Sequence, residues 1–212
     1  MVSVHQDTGR LREDLIEERK AGILEAAEQL IAVHGFDALR LRDVAKAAGV
    51  SIGLIQHYFT ARDDLLRETM RMASVRRASQ WTDLANGHKL APEKLAALLE
   101  GSISDHHRCV VWLETCAAAT RHADLLPDVQ RTQDAWREVM RDVIAQGVVD
   151  KDFVPTIAVG DIVALLIGLI DGLMLAAAME PGDENMQDYV QLLRAAAQRL
   201  LQMEPLPITP KP

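Results

Sequence analysis

The sequence predicts an all-α protein of about nine helices, and three observations predict it. Ala and Leu are the commonest of the 212 residues, and with Arg, Glu and Gln they supply many good helix formers. Aromatic residues make up only 4%, and no segment alternates β-branched and polar residues as a strand does. Apolar residues instead recur at intervals of three and four, as in Ile23, Ala26, Ala27, Leu30 and Ile31. With 49% hydrophobic and 25% charged residues the composition is that of an ordinary globular chain, which excludes a disordered or collagen-like one.

The elements follow in order. Residues 1–14 are polar and are expected to form a flexible arm, with no apolar run of the kind a signal peptide carries. From Leu15 an amphipathic helix runs to His34 and is stopped by Gly35. A short helix spans about Leu41 to Ala48 and ends at Gly49. Ser51 caps a third helix that reaches about Phe59, its hydroxyl placed to take an orphan backbone N–H. A long fourth helix starts near Arg62 and ends at Asn86-Gly87. Pro92 sits in the first turn of a fifth, where proline is tolerated, and Gly101 weakens or ends it. The sixth helix carries His107, Val111, Trp112, Cys116 and Ala119. Pro127 opens a seventh that runs to Gln146-Gly147, and a loop follows from Val148 to Thr156. The eighth spans about 158–179, closed by Pro181-Gly182, and the ninth about Glu184 to Met203. Residues 205–212 hold four prolines and are expected to be a disordered tail.

The eighth helix contains an unbroken apolar run from Ile162 to Ile170, bracketed by Asp161 and Asp171. A membrane span needs about 20 apolar residues, so the reading is a buried helix of a soluble, cytoplasmic protein with no membrane partner.

The segment Leu41 to Phe59 reads LRDVAKAAGVSIGLIQHYF. Val44, Ala45 and Ala48 are spaced to face inward from one short helix, and Val50, Leu54, Ile55 and Phe59 from around the next. The tight turn at Gly49 makes this a helix-turn-helix, whose second helix can enter a major groove. A corner inside a helical bundle gives the same local pattern. The flanking residues decide between them. Ile23-Leu24-Glu25-Ala26-Ala27 with Gly35-Phe36, then Val44-Ala45-Lys46-Ala47-Ala48-Gly49-Val50-Ser51, then Tyr58-Phe59 with Arg62-Asp63-Asp64-Leu65-Leu66, resemble the TetR family of bacterial transcriptional regulators. The resemblance covers about the first third of the chain.

It implies a helix-turn-helix domain at 15–61 and a helical ligand-binding and dimerisation domain at 62–204. It also implies roles by position. Ile52, Gly53 and Gln56 would face the groove, Gln56 pairing with adenine and Ile52 touching a thymine methyl. Arg42 would reach a guanine edge or a phosphate. Ser51, His57, Tyr58, Thr60 and Arg62 would hold phosphates, Arg62 beside a helix N-terminus. Arg40 stands where the family usually has Thr or Ser, adding a phosphate contact while losing a cap, and Gln56 stands where tyrosine is common. The partners implied are double-stranded DNA with a palindromic operator and a second copy of the chain.

Taken alone, the net charge of −8 argues against binding to phosphate. Between Ala38 and Arg62, however, Arg40, Arg42, Lys46 and Arg62 face a single acid, Asp43, for a local +3, leaving −11 elsewhere.

In the C-terminal part, Gly160, Ala164, Gly168, Gly172 and Ala176 recur every four residues, a ridge that lets another helix approach closely. It serves either a tight contact within the chain or, the preferred reading, a two-fold interface with the stripe Tyr189, Leu192, Leu193, Ala196 and Leu200. For a small hydrophobic ligand the candidates are Trp81, Trp112, Cys116, Trp136, Met140, Asp171 and Met174, on helices that surround a cavity in the family. Glu114 and Asp171 leave room for a lipophilic cation against the indoles. Taken singly, each of these residues is better explained by core packing; taken together they point to a hydrophobic ligand.

Cys109 and Cys116 lie seven apart without metal-ligand spacing, so free thiols are expected, with no metal and no cofactor. His106 and His107 diverge by about 100° on a helix and do not converge on one atom. No nucleophile–base pair, carboxylate pair or phosphate loop supports an all-α enzyme or another binding module, so no catalytic residue is assigned. The expected function is a repressor released from its operator by ligand; an activator, or a regulator without ligand, fits the same sequence.

Overall fold

The computed structural model describes residues 3–103, 105–180 and 183–205. It is all-α: α1 (Ser3–His34), α2 (Leu41–Ala47), α3 (Ile52–Tyr58), α4 (Arg62–Asn86), α5 (Ala91–Ser102), α6 (His106–Arg121), a 3₁₀ turn (Ala123–Leu125), α7 (Leu126–Val149), α8 (Val159–Met179) and α9 (Asp183–Leu201). No strand occurs among the described residues.

The chain divides into two compact units, Met1–Ala73 and Ser74–Pro212. The division falls inside α4 and not before it, where the sequence placed it. Leu65, Leu66, Thr69 and Met70 on the first half of α4 are fully buried, and that half belongs to the first unit.

In the first unit α1 packs on α2 and α2 on α3. α1 starts at Ser3, not at Leu15, so residues 3–14 are helical where a flexible arm was expected. No proline interrupts Ser3 to Leu15, and Arg10 to Glu13 are good helix formers, so the helix propagates outward from its amphipathic part. Gly35 and Gly49 hold φ of +83° and +67°, the left-handed backbone that lets α1 and α2 end in tight turns.

In the second unit α8 lies centrally, packed on α6, α7 and α9, while α5 packs on α7 and α9. Arg194 of α9, almost wholly buried, pairs with Glu100 of α5. α7 does not stop at Gly147 but runs to Val149, and the reversal comes at Lys151 with φ +67°. Gly147 has a different task. A Cβ there would collide with the ring of Phe153, which is buried on top of it. The backbone N–H groups of Asp152 and Phe153 both donate to the Gly147 carbonyl, at 2.8 and 3.0 Å.

The same loop then fastens α9. Val154 and Thr156 donate their backbone N–H groups to the carbonyls of Leu201 and Leu200 at 2.7 and 2.9 Å, and the Thr156 hydroxyl adds a bond to Leu200 at 3.0 Å. These donors satisfy carbonyls that a helix C-terminus otherwise leaves unpaired. Pro181-Gly182 and residues 206–212, including most of the expected tail, lie outside the described residues.

α8 is long and apolar enough to cross a membrane, yet it is buried on one face only. Ile162, Val163, Leu166, Ile167, Ile170, Met174 and Ala177 point into the unit. Gly160, Ala164, Gly168 and Gly172 lie exposed on the other face, with Ala176 half-buried. The expectation of a buried helix therefore holds for one face only: α6, α7 and α9 cover that face and leave the other open.

Candidate functional site

The first candidate surface is built by α2 and α3. Val44 and Ala45 are buried on α2, and Ile55 and Phe59 anchor the second helix, while Ala48, Val50 and Leu54 are half-buried. The Val50 N–H donates to Ala45 at 3.0 Å and closes the turn around Gly49. Ser51 is the cap the sequence predicts: its Oγ accepts from the Leu54 N–H at 3.1 Å. Arg40 occupies the equivalent position before α2 and makes no side-chain cap, as its substitution for Thr or Ser implies.

Burying Ile55 turns the opposite side of α3 outward. Ile52, Gly53, Gln56 and His57 are all exposed, as are Arg40, Arg42, Ser51 and Thr60. At Gly53 an added Cβ would meet only Ser51 Oγ, 3.9 Å away, so the backbone there is open to close approach. Tyr58 is half-buried, its ring 5.4 Å from His57 and 6.4 Å from Phe59.

Arg62 departs from expectation. Its Nε donates to the Leu39 carbonyl at 2.7 Å, and its Nη2 donates to the carbonyls of Phe36 and Asp37 at 2.8 and 2.7 Å. The guanidinium expected at a phosphate is spent on the α1–α2 connection. A planar fork of five donors suits three carbonyls from one tight loop. Nearby, Lys20 of α1 bonds Glu68 of α4 at 3.1 Å and lies 5.9 Å over the Phe59 ring, a contact the sequence did not reveal.

The second candidate site gathers all three tryptophans. Trp81 on α4 and Trp136 on α7 are stacked, centroids 4.5 Å apart and planes at 28°. Arg77, one turn before Trp81, lies 5.9 Å from the Trp81 ring and 5.4 Å from that of Trp112 on α6. It is only 9% exposed, and its Nη2 donates to the Arg108 carbonyl at 2.7 Å. Trp112 hydrogen-bonds the Asp171 carboxylate. Burial raises the pKa of Asp171, against the Trp112 bond and the positive charges of Arg137 and Arg77. The Cys116 thiol is pushed up to about 12 by burial and by the negative charge of Asp171. Burial also raises Cys109, which is free like Cys116. Met140 and Met174 are buried on α7 and α8.

The sequence therefore named the aromatic residues and missed Arg77, the cation that lies over two of them. Its signal was present: Arg77 and Trp81 stand four apart, on one face of α4. The Nε1 atoms of Trp81 and Trp136 are buried without a hydrogen-bond partner. An indole N–H left so costs about 1–3 kcal/mol, which stacking of the rings offsets by about 0.5–1.5 kcal/mol. His106 is not at this site: its Nδ1 lies 2.9 Å from the Ala177 carbonyl in the last turn of α8. An open groove of about 240 Å³ lies along Thr82, Lys94, Val139 and Gln146 and includes none of the expected ligand residues. Among the described residues no His, Cys, Asp and Glu group has metal-binding geometry.

The third surface is the outer face of α8. A Cβ added at Gly160, Gly168 or Gly172 would meet nothing within 4 Å, so the ridge makes no tight contact within the chain. Leu165, Leu169, Leu175, Met179 and Leu192 of α9 stand exposed beside it. Tyr189, Ala196 and Leu200 are half-buried. Leu193, expected at the interface, is fully buried in its own unit, because it lies on the side of α9 that meets the core.

A helix-turn-helix with an outward polar recognition helix, joined to a larger helical unit, defines a DNA-binding transcriptional regulator. Two family models match: "Bacterial regulatory proteins, tetR family" over residues 23–69 and "BetI-type transcriptional repressor, C-terminal" over residues 91–202. The chain belongs to the tetR family of bacterial regulatory proteins. It is 30% identical over 167 residues to the HTH-type transcriptional regulator PksA of Bacillus subtilis, covering 78% of this chain and 81% of that protein. The fold matches a regulator from Saccharomonospora viridis crystallised with choline, with a TM-score of 0.80 and 22% identity over 87% of this chain and 98% of that one. It also matches the regulator FadR of Bacillus subtilis in complex with stearoyl-CoA, with a TM-score of 0.64 and 21% identity over 85% and 97% of the two chains.

Proposed function

We propose that the protein is a homodimeric cytoplasmic repressor that releases a palindromic operator when a hydrophobic small molecule binds among α4, α6, α7 and α8. The observation that carries the DNA-binding half is the division of α3: Ile55 is fully buried while Ile52, Gly53 and Gln56 are exposed. Gln56 then reads adenine and Ile52 a thymine methyl, with Arg40, Arg42, Ser51, His57, Tyr58 and Thr60 positioning the helix on phosphates. Arg62 supports this surface from within.

The exposed apolar face of α8, continued by Leu192 on α9, supports a two-fold interface, since two half-sites on DNA require two recognition helices. The tryptophan cluster supports the ligand site, as do the choline and stearoyl-CoA complexes of the two structural neighbours. α4 begins beside α3 and carries Arg77 and Trp81 further on, so its tilt is the lever between ligand and DNA. By linkage, DNA weakens ligand by the same factor that ligand weakens DNA.

Selection of bound sequences from a random duplex pool tests the reading. It should return a palindrome with a fixed half-site spacing. A pool that shows no enrichment, or only single half-sites, removes the dimeric operator reading.

A further inference from the structure

The ligand site proposed above has a chemical bias that follows from what already fills it. Trp81 is engaged on two sides, by the stacked Trp136 ring and by the Arg77 guanidinium. The same guanidinium lies over Trp112. The place where aromatic rings attract a cation is thus held by the protein's own cation. A quaternary ammonium entering here finds that place on the rings already taken.

The two buried indole N–H groups add an independent requirement. Trp81 Nε1 and Trp136 Nε1 have no acceptor, and an indole nitrogen can only donate. A quaternary ammonium offers no acceptor to either. A carboxylate or carbonyl oxygen does, and it is also attracted to Arg77. Asp171, an acid of the same cluster, is engaged by Trp112.

Resting on that ligand-site reading, we propose that the ligand is an apolar molecule carrying an acceptor oxygen, a carboxylate or a carbonyl, and that Arg77 excludes quaternary ammonium compounds. The site would then differ in ligand class from the structural neighbour crystallised with choline.

The test uses calorimetric titration of the full-length protein with 2-naphthoate, 2-acetylnaphthalene, 2-ethylnaphthalene and choline. Tryptophan emission serves as a second readout, because all three tryptophans lie in the cluster. At least one oxygen-bearing probe should bind about tenfold tighter than 2-ethylnaphthalene, one well-placed hydrogen bond in a buried site, and choline should give no signal. Naphthoate alone being favoured identifies a carboxylate, and both being favoured identifies a carbonyl oxygen. The double variant Trp81→Phe, Trp136→Phe keeps the rings and should erase that preference. Arg77→Met should admit choline; if that variant does not fold, the wild-type panel and the Phe variant still decide. Choline binding to the wild type as tightly as the naphthalenes, or equal affinities for all three naphthalenes, overturns the inference and leaves the ligand site standing. Silence from every probe, with DNA binding intact, overturns the inference and the ligand site together.

Discussion

Arg62 donates from Nε to the Leu39 carbonyl at 2.7 Å, across 23 residues of chain. Together with its bonds to Phe36 and Asp37 this makes it the clasp of the α1–α2 connection. Arg62→Met should lower stability by about 2 kcal/mol, the cost of stranding charge-assisted bonds in a half-buried site. The salt dependence of DNA binding by the folded variant should match that of the wild type. A slope reduced by about 1 would instead make Arg62 a phosphate contact.

Gln56 and Arg40 should separate base reading from positioning. Gln56→Ala should cost about 1–3 kcal/mol on the preferred operator and relax selectivity at one base pair. Arg40→Ala should weaken binding to all sequences alike and flatten the salt slope by about 1. Affinities on operator and random duplex at two salt concentrations check both.

The head of the molecule was legible because its signals are local. Gly35, Gly49 and Ser51 act within three or four residues of where they stand, so sequence spacing alone located the turns and the cap. The carbonyl partners of Arg62 were not legible because they lie 23 to 26 residues away, and nothing in the spacing of a basic residue says whether it faces a phosphate or a carbonyl. Leu193 and Leu192 show the same limit at the other end. They are adjacent members of one apolar stripe, yet one is core and the other surface, and only the placement of α9 against α8 separates them. Gly147 resembled a helix stop because glycine commonly is one; its contact with Phe153 is a loop-to-helix packing that periodicity does not encode.

That packing is a sensitive point. Gly147→Ala should destabilise by about 1–3 kcal/mol, since the methyl must displace a buried ring. Thermal unfolding of Gly147→Ala beside Phe153→Leu checks the cause. If the ring is the obstacle, the smaller side chain should recover part of the loss in the double variant.

Asp171 and Cys116 both have folded pKa values above their ordinary ones, of 3.8 and 9.0. In each case the folded state favours the protonated form, so each contribution to stability is present at low pH and lost as pH rises through the folded value. Asp171→Asn, which keeps an acceptor for Trp112, should raise Tm at pH 7 and do so less at pH 4. Between pH 9.0 and about 12 the wild type should lose stability faster than Cys116→Ala. Calorimetric scans across pH measure both, and alkylation of Cys116 should be slow at neutral pH until the protein unfolds.

Leu165 is 54% exposed on the outer face of α8. Leu165→Arg should convert the proposed dimer to a folded monomer with unchanged helix content, seen by sedimentation, and operator binding should fall in parallel. A dimer that survives this charge places the interface elsewhere.

The loop from Val154 to Thr156 ties the end of α9 to the approach to α8, closing both helices into one staple. Their outer faces are therefore set before the second copy of the proposed dimer arrives. Little ordering is left to be done at the encounter, so association should run at the rate of rigid docking, about 10⁵–10⁷ M⁻¹s⁻¹, and not at the slower pace of partners that fold as they meet. Thr156→Val removes one of the staple's three bonds and leaves the two backbone ones, and in the proposed dimer that loosening would be felt first in how fast two copies find each other.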